Sequence, residues 1–362
     1  MTSRLPDEHP IRARAAISAT CVVALLLALA PSAHAGRYHG YSCRTPSGEA
    51  APADGWSGAT TDVTWSFVEN TCAQGGALVA ALGDEAAERR TNTDEVTWSL
   101  TIPSPETLAA ATLWRAADTA GGARINATYQ FWFSGPAEVN VFDECLAVAA
   151  CAGQGTMSQP LSDENRVVVP AANLGSHLFM KASCGGVAEY KCPIAVGDAQ
   201  NYAAVAYLYA ADLVLEQSEG PSASDVGGPL TSEQTLRGTS DVTFNASDSG
   251  AGIYQAEFEV DGGVVQRSVI DENGGRCRNV GQTSDGTAAF LYLQPCLKSL
   301  SADVGFDSTR VANGPHHLVV RVADAAGNTA TVLDRSVLIE NELGVCNAEC
   351  DGHASIHATE LN

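Results

Sequence analysis

Three carboxylates, Glu257, Glu259 and Asp261, alternate along one short stretch of this 362-residue chain. On a strand, alternation sends all three to the same face. Retaining glycosidases need two such groups about 5 Å apart across the scissile bond. Here, however, Asp261 opens Asp261-Gly262-Gly263, a hairpin-turn signal, and a solvated acidic strand face explains the alternation without chemistry. No catalytic residue is assigned on this basis, and glycan cleavage stays as the enzymatic alternative.

Metal-type ligands occur in three places. Cys346-x3-Cys350-x2-His353-x3-His357 supplies sulfur and nitrogen, but zinc fingers separate the two pairs by a longer spacer, and an oxidised cysteine pair cannot ligate. His316 and His317 are neighbours on a strand pattern, so they point to opposite faces and cannot share one ion. Asp248, Asp324 and Asn328 offer the hard oxygens that calcium prefers. The same residue types also close turns through their own backbone hydrogen bonds, and no D-x-D-x-D-G loop is present. The expectation is a chain without a cofactor, with calcium at these three residues as the one candidate ion.

Aromatic residues carry the best hint of binding. In Tyr129-Gln130-Phe131-Trp132-Phe133, alternation separates Tyr129, Phe131 and Phe133 from Gln130 and Trp132. One face must enter a core. If the other is an open outer face, Trp132, together with Trp114, can stack on a sugar ring. The competing reading makes Trp132 a second core residue or an edge cover.

These side chains need a scaffold, and its compartment is legible at the start. Arg12 and Arg14 precede an apolar core, Cys21 to Ala30, and the run ends in Ala33-His34-Ala35, the pattern of a cleaved secretory signal over residues 1–35. That core is too short to span a bilayer, and no later apolar run reaches spanning length. With Cys21 in the leader, ten of the eleven cysteines remain, in five near-neighbour pairs: Cys43/Cys72, Cys145/Cys151, Cys184/Cys192, Cys277/Cys296 and Cys346/Cys350. An even count in an exported chain reads as disulfides, with this pairing as the expected one. The net charge of −22 excludes nucleic acid and anionic lipid as partners.

Residues 36–217 show short apolar runs and alternating stretches, such as Val96 to Leu100, Ala111 to Arg115 and Tyr202 to Leu215, punctuated by Gly, Pro and Asn. Ala77 to Leu82 has helical propensity, yet glycines bracket it at strand length, and it is read as a strand. So many strands in one stretch call for two packed sheets, here a jelly-roll-like sandwich of the lectin and carbohydrate-module kind. Residues 218–229 are rich in Ser, Gly and Pro and read as a linker. Residues 230–341 give tighter strands: 241–246, 252–260, 264–270, 288–294, 316–323 and 329–339. Residues 342–362 have no period and read as a flexible tail.

Asp248-Ser249-Gly250-Ala251-Gly252-Ile253, Val260-Asp261-Gly262, and the stretch from His316 through Leu318, Val320, Val322 and Asp324 to Gly327-Asn328 resemble bacterial immunoglobulin-like repeats of exported proteins. The resemblance covers about 110 residues. It implies an immunoglobulin-like β-sandwich and no particular ligand. The segment carrying Cys277 and Cys296 departs from the plain repeat and reads as a stapled long loop. The mature chain, with Tyr41-Ser42-Cys43-Arg44-Thr45-Pro46 and Asp271 to Gly281, is also similar to a set of secreted two-domain actinobacterial proteins, a likeness that implies export but no activity.

The sequence therefore predicts an all-β, disulfide-stapled, secreted or loosely surface-associated protein. Its expected role is non-catalytic binding or adhesion, with a glycan or a surface protein as partner. A structural envelope protein held by protein contacts is the third reading.

Overall fold

Alternating apolar patterns produce strands almost everywhere. The computed structural model describes residues 35–61, 64–83, 93–119, 127–136, 138, 140–145, 153–186, 192, 202–281 and 283–341, and among these there are twenty strands and no α-helix. The chain is all-β, as expected. The expected leader and tail lie outside the described residues, apart from Ala35.

The first eleven strands are β1 (Gly36–Ser42), β2 (Trp56–Thr60), β3 (Ser66–Asn70), β4 (Leu78–Gly83), β5 (Glu95–Thr101), β6 (Thr107–Thr119), β7 (Ala127–Ser134), β8 (Val141–Cys145), β9 (Arg166–Val168), β10 (His177–Gly186) and β11 (Tyr202–Gln217). Residues 77–82 are extended as read, with Leu78 to Leu82 inside β4. The spine of this sandwich is the 16-residue β11. It pairs with β6 on one side, and with β4 and β1 set end to end on the other. The facing sheet runs β2-β5-β10-β7-β8. Consecutive strands mostly change sheets, so the two inner faces come from the whole length of the segment. Val96, Trp98 and Leu100 of β5, Phe131 and Phe133 of β7, and Leu178 and Met180 of β10 meet Leu108 and Leu113 of β6 and Leu213 and Leu215 of β11 in one core. A buried ion pair between Arg115 on β6 and Asp143 on β8 ties the two sheets.

The later strands are β12 (Ser222–Gly227), β13 (Thr235–Leu236), β14 (Thr239–Ser247), β15 (Ile253–Val260), β16 (Gly263–Val269), β17 (Ala288–Phe290), β18 (Ser299–Asp307), β19 (Gly314–Asp324) and β20 (Thr329–Ile339). All but β17 form the sheets β12-β14-β18 and β13-β20-β19-β15-β16, the strand order of an immunoglobulin-like sandwich. Phe258 and Phe306 stack at 5.3 Å in its core, packed with Phe244, Val304, Val320 and Val322. Asp261 and Gly262 both take positive φ, 51° and 85°, as the two-residue turn between β15 and β16 requires.

Two segments differ from the expectation. The expected linker, residues 218–229, contains β12, which pairs with β14. Its polar sequence hid a strand because β12 is an edge, with four of its six residues exposed. The run 288–294 is a strand only over Ala288–Phe290, and this β17 joins the first sandwich, parallel to β1. The stapled loop is therefore an arm, residues 271–297, closed at its base by the Cys277–Cys296 disulfide. Its Phe290 and Leu293 enter the core of the first sandwich. Phe290 meets Tyr38 edge-on at 6.0 Å and Tyr254 at 5.6 Å.

Cys43–Cys72 and Cys184–Cys192 are also bonded, so three of the five expected pairs are present. The pairs 145/151 and 346/350 involve Cys151, Cys346 and Cys350, outside the described residues. Three disulfides point to folding outside a reducing cytoplasm.

Because Phe290 is fully buried, Phe290→Ala should cost about 3–5 kcal/mol in denaturant unfolding. A loss below about 1 kcal/mol would mean that the arm is not packed into the first sandwich.

Candidate functional site

Trp132 is placed by the alternation of β7. Its neighbours Phe131 and Phe133 are buried, which turns the indole to the outer face of the sheet, where it is half-buried. Opposite it stand Lys181 on β10 and Glu144 on β8. The Lys181 ammonium lies 5.7 Å from the indole centroid, 2.6 Å from Glu138 Oε2 and 3.4 Å from Glu95 Oε1. The two carboxylates and the ring compensate the burial of that charge, which is only 7% exposed. Gln130 Nε2 donates to Ser183 Oγ at the side of the patch. Trp56 and Trp98 donate their indole N–H groups to Ser42 Oγ and Val79 O. Among the described residues Trp132 and Trp114 have no such acceptor, so their N–H groups are left for solvent or a ligand. A half-exposed indole rimmed by carboxylates and an amide can stack on a sugar ring and accept from its hydroxyls.

Trp114 does not join it. Leu113 and Arg115 of β6 face inward, so Trp114 faces outward from the opposite sheet. It is half-buried there, across from Arg166 on β9. The two tryptophans therefore occupy opposite faces of the sandwich and cannot grip one ring together.

Asp248, Asp324 and Asn328 do come together, and hydrogen bonds account for their oxygens. Gln217, the last residue of β11, sends its amide nitrogen between the two carboxylates, 3.2 Å from Asp248 Oδ1 and 2.6 Å from Asp324 Oδ2. Its Oε1 accepts from the Ala251 N–H at 2.7 Å. Asp248 Oδ2 accepts from the N–H groups of Gly250 and Gly252. Asp324 accepts from the backbone and side chain of Asn328, whose Oδ1 accepts from the Gly36 N–H. A Cβ at Gly250 would lie 1.5 Å from Gln217 Oε1, so only glycine admits the amide. Among the described residues no group of three or more His, Cys, Asp or Glu side chains is arranged to hold a metal. Burial pushes the Asp324 carboxyl up to about 6.

The alternating acids of β15 and the turn after it each have a separate partner. Glu257 accepts from Arg267 at 2.8 Å and Glu259 from Arg321 at 3.2 Å. Asp261 meets His316 Nδ1 at 2.7 Å, and the next histidine, His317, turns to Asp334 on β20. His316 Nε2 also lies 2.9 Å from Ala312 O, so only an imidazolium serves both acceptors. Its pKa is raised, chiefly by the Asp261 hydrogen bond. A shallow hollow of about 390 Å³ on the outer face of β12-β14-β18 is lined by Ser222, Ser224, Asn245, Ser247, Ser299 and Ser301. Hydrogen bonds between Ser222 and Ser247 and between Ser301 and Asn245 engage part of that lining.

Sequence reasoning missed three polar residues at the junction. Tyr38 Oη donates to Leu293 O of the arm at 2.5 Å and lies 3.5 Å from Glu106 Oε1. Glu106 is 3% exposed, and burial pushes its carboxyl up to about 7. His39 Nδ1 stands 2.6 Å from Asp212 Oδ1 on β11, and its Nε2 is 3.5 Å from Asp285 Oδ2 of the arm, an ion-pair distance rather than a hydrogen bond. No local motif marks these residues, because their partners lie 68 to 255 positions away along the chain.

No family model matches the chain, and no curated protein matches it. Among solved structures it is similar to the fibronectin(III)-like modules of Clostridium thermocellum CbhA, with 14% identity, a TM-score of 0.24, and coverage of 77% of this chain and 100% of that one. It is also similar to the glycoside hydrolase domain of Endo-D from Streptococcus pneumoniae R6, with 8% identity, a TM-score of 0.21, and coverage of 72% of this chain and 37% of that one. At these scores neither likeness bears on function.

Replacing the bridging amide tests the Asp248–Gln217–Asp324 cluster. Gln217→Glu puts a third carboxyl there, and at pH 8 it should cost about 3–5 kcal/mol of stability. The loss should shrink at pH 5, because the folded chain then holds a proton that the unfolded chain has released: Asp324 keeps its proton up to about pH 6 when folded, against an ordinary value of 3.8. A small, pH-independent loss in urea titrations would contradict this arrangement.

Proposed function

We propose that this chain is an exported, non-catalytic binding protein whose jelly-roll-like sandwich contacts cell-wall or environmental glycans through the face around Trp132. One observation carries the reading: a half-exposed indole with a free N–H on an outer sheet face, ringed by Glu95, Glu138, Glu144 and Gln130. Sugars present both apolar ring faces and hydroxyls, and this patch offers a partner for each. The expected leader and the three disulfides support export.

Hydrolysis would need one of the neighbouring acids to donate a proton to the leaving oxygen. Glu95 and Glu138 are instead both engaged by Lys181, 3.4 and 2.6 Å from its ammonium, and they serve there as hydrogen-bond acceptors. A purely structural role would favour a broad apolar surface. The exposed large apolar residues among those described, Trp65, Val168, Val226, Val264, Val269 and Leu338, are spread over both sandwiches.

Retention of the purified full-length mature chain on insoluble polysaccharides and cell walls tests the proposal. Trp132→Ala should weaken retention on the bound material at least about ten-fold, or 1.4 kcal/mol, while the disulfides and the far-UV spectrum stay unchanged. Equal retention by the variant would remove Trp132 from the site. The absence of retention on any surface would move the reading to a protein partner.

A further inference from the structure

We propose that the arm, residues 271–297, is a proton-linked clasp: its docking on the first sandwich is fastened by one proton on Glu106 and one on His39, so that it tightens in acid and loosens above neutrality. Tyr38 stands between the arm and Glu106. Its hydroxyl has a single proton, and Leu293 O, 2.5 Å away, can only accept. Glu106 Oε1, 3.5 Å from the same hydroxyl, therefore faces a lone pair. A neutral carboxyl can donate there, whereas a carboxylate is repelled. Its other oxygen, Oε2, is buried and has no hydrogen-bond partner, which is tolerable for an acid and costly for an anion.

Burial is what favours the neutral acid, and the charged groups around Glu106 pull in both directions. Lys298, just before β18, attracts its negative form, and Asp248, after β14, opposes it. Asp324 on β19 adds further negative charge near Tyr38. On the arm itself, Leu293 N–H donates to Asp54 Oδ2, and Arg276 lies 3.8 Å from the same carboxylate.

The second proton sits on the arm's other edge. His39 on β1 lies between Asp212 of β11 and Asp285 of the arm, and it attracts Asp285 only as an imidazolium. Asp285 stays ionised, because Thr283 and Thr287 donate to it. The neighbouring Tyr41 stays neutral, its hydroxyl pushed up to about 12 by burial. Burial of His39 alone would lower its pKa, but the hydrogen bond and charge of Asp212, with Asp285 behind them, leave it raised.

Both groups act in the same direction. The His39 contribution is complete below its ordinary value of 6.5 and is lost as pH rises through the docked value. Glu106 docks best while protonated, and docking weakens from its ordinary 4.5 up to about 7.

Hydrogen exchange on the full-length mature chain, corrected for intrinsic rates, reads the clasp directly at the amides of Val280, Leu293 and Cys296. Their protection should fall at least about ten-fold between pH 5 and pH 8, one decade per unit of separation between docked and free pKa, while Phe258 and Val320 in the second core keep theirs. Glu106→Gln should hold the arm protected at pH 8, and His39→Gln should lower its protection at pH 5. Equal arm protection at both pH values, or an equal fall at Phe258 and Val320, overturns the proposal. Should Glu106→Gln fail to fold, the carboxyl ¹³C titration of Glu106 in the wild-type chain decides: a midpoint near 7 supports the clasp, and one near 4.5 overturns it.

Discussion

A side-chain amide between two buried carboxylates is the interaction on which the rest of this structure depends. Gln217 ends the longest strand of the first sandwich, and its donors reach Asp248 and Asp324, which belong to the second. Both acids are nearly inaccessible. Without donors their burial would be strongly unfavourable, and a carboxylate in place of the amide would leave like charges facing each other. The amide solves this with a neutral group, and its oxygen meets Ala251 N–H in the loop before β15. The end of one sandwich is thereby fixed to the first loops of the next.

The arm adds an apolar bond to this polar one. A strand insertion that only lengthened a loop would stay in water, but this one holds Phe290, Leu293 and a disulfide, and its three-residue strand extends the sheet of β1. The two sandwiches thus share one core cluster, which includes Ala251, Ala325 and Ala326 from the turns of the second. This junction leaves the outer face around Trp132 uncovered, since that face lies on the sheet away from β1 and β11.

Much of the fold was legible because it rests on local periodicity. Leu318, Val320 and Val322 alternate and are buried, and Asp261-Gly262 made its turn as the glycine-rich signal required. The strands that escaped notice lack such a pattern. β12 is an edge with no apolar face, and β18, Ser299–Asp307, hides its buried Ala302, Val304 and Phe306 among serines and aspartates. Alternation set Trp132 apart from Phe131 and Phe133 but left open whether its face was outer or core, and its separation from Trp114 was not legible, because periodicity gives a face and never says which sheet a strand joins. Glu106, Tyr38 and His39 were invisible for a stronger reason: their environment is made by an arm more than 160 residues downstream in sequence.

Calorimetric unfolding of oxidised residues 36–362 tests this account most directly. A junction of Gln217, Asp248, Asp324 and the arm should make the two sandwiches unfold together, in one transition whose calorimetric and van't Hoff enthalpies agree. Two resolved transitions, or a van't Hoff enthalpy near half the calorimetric one, would show that the sandwiches unfold independently and would contradict it.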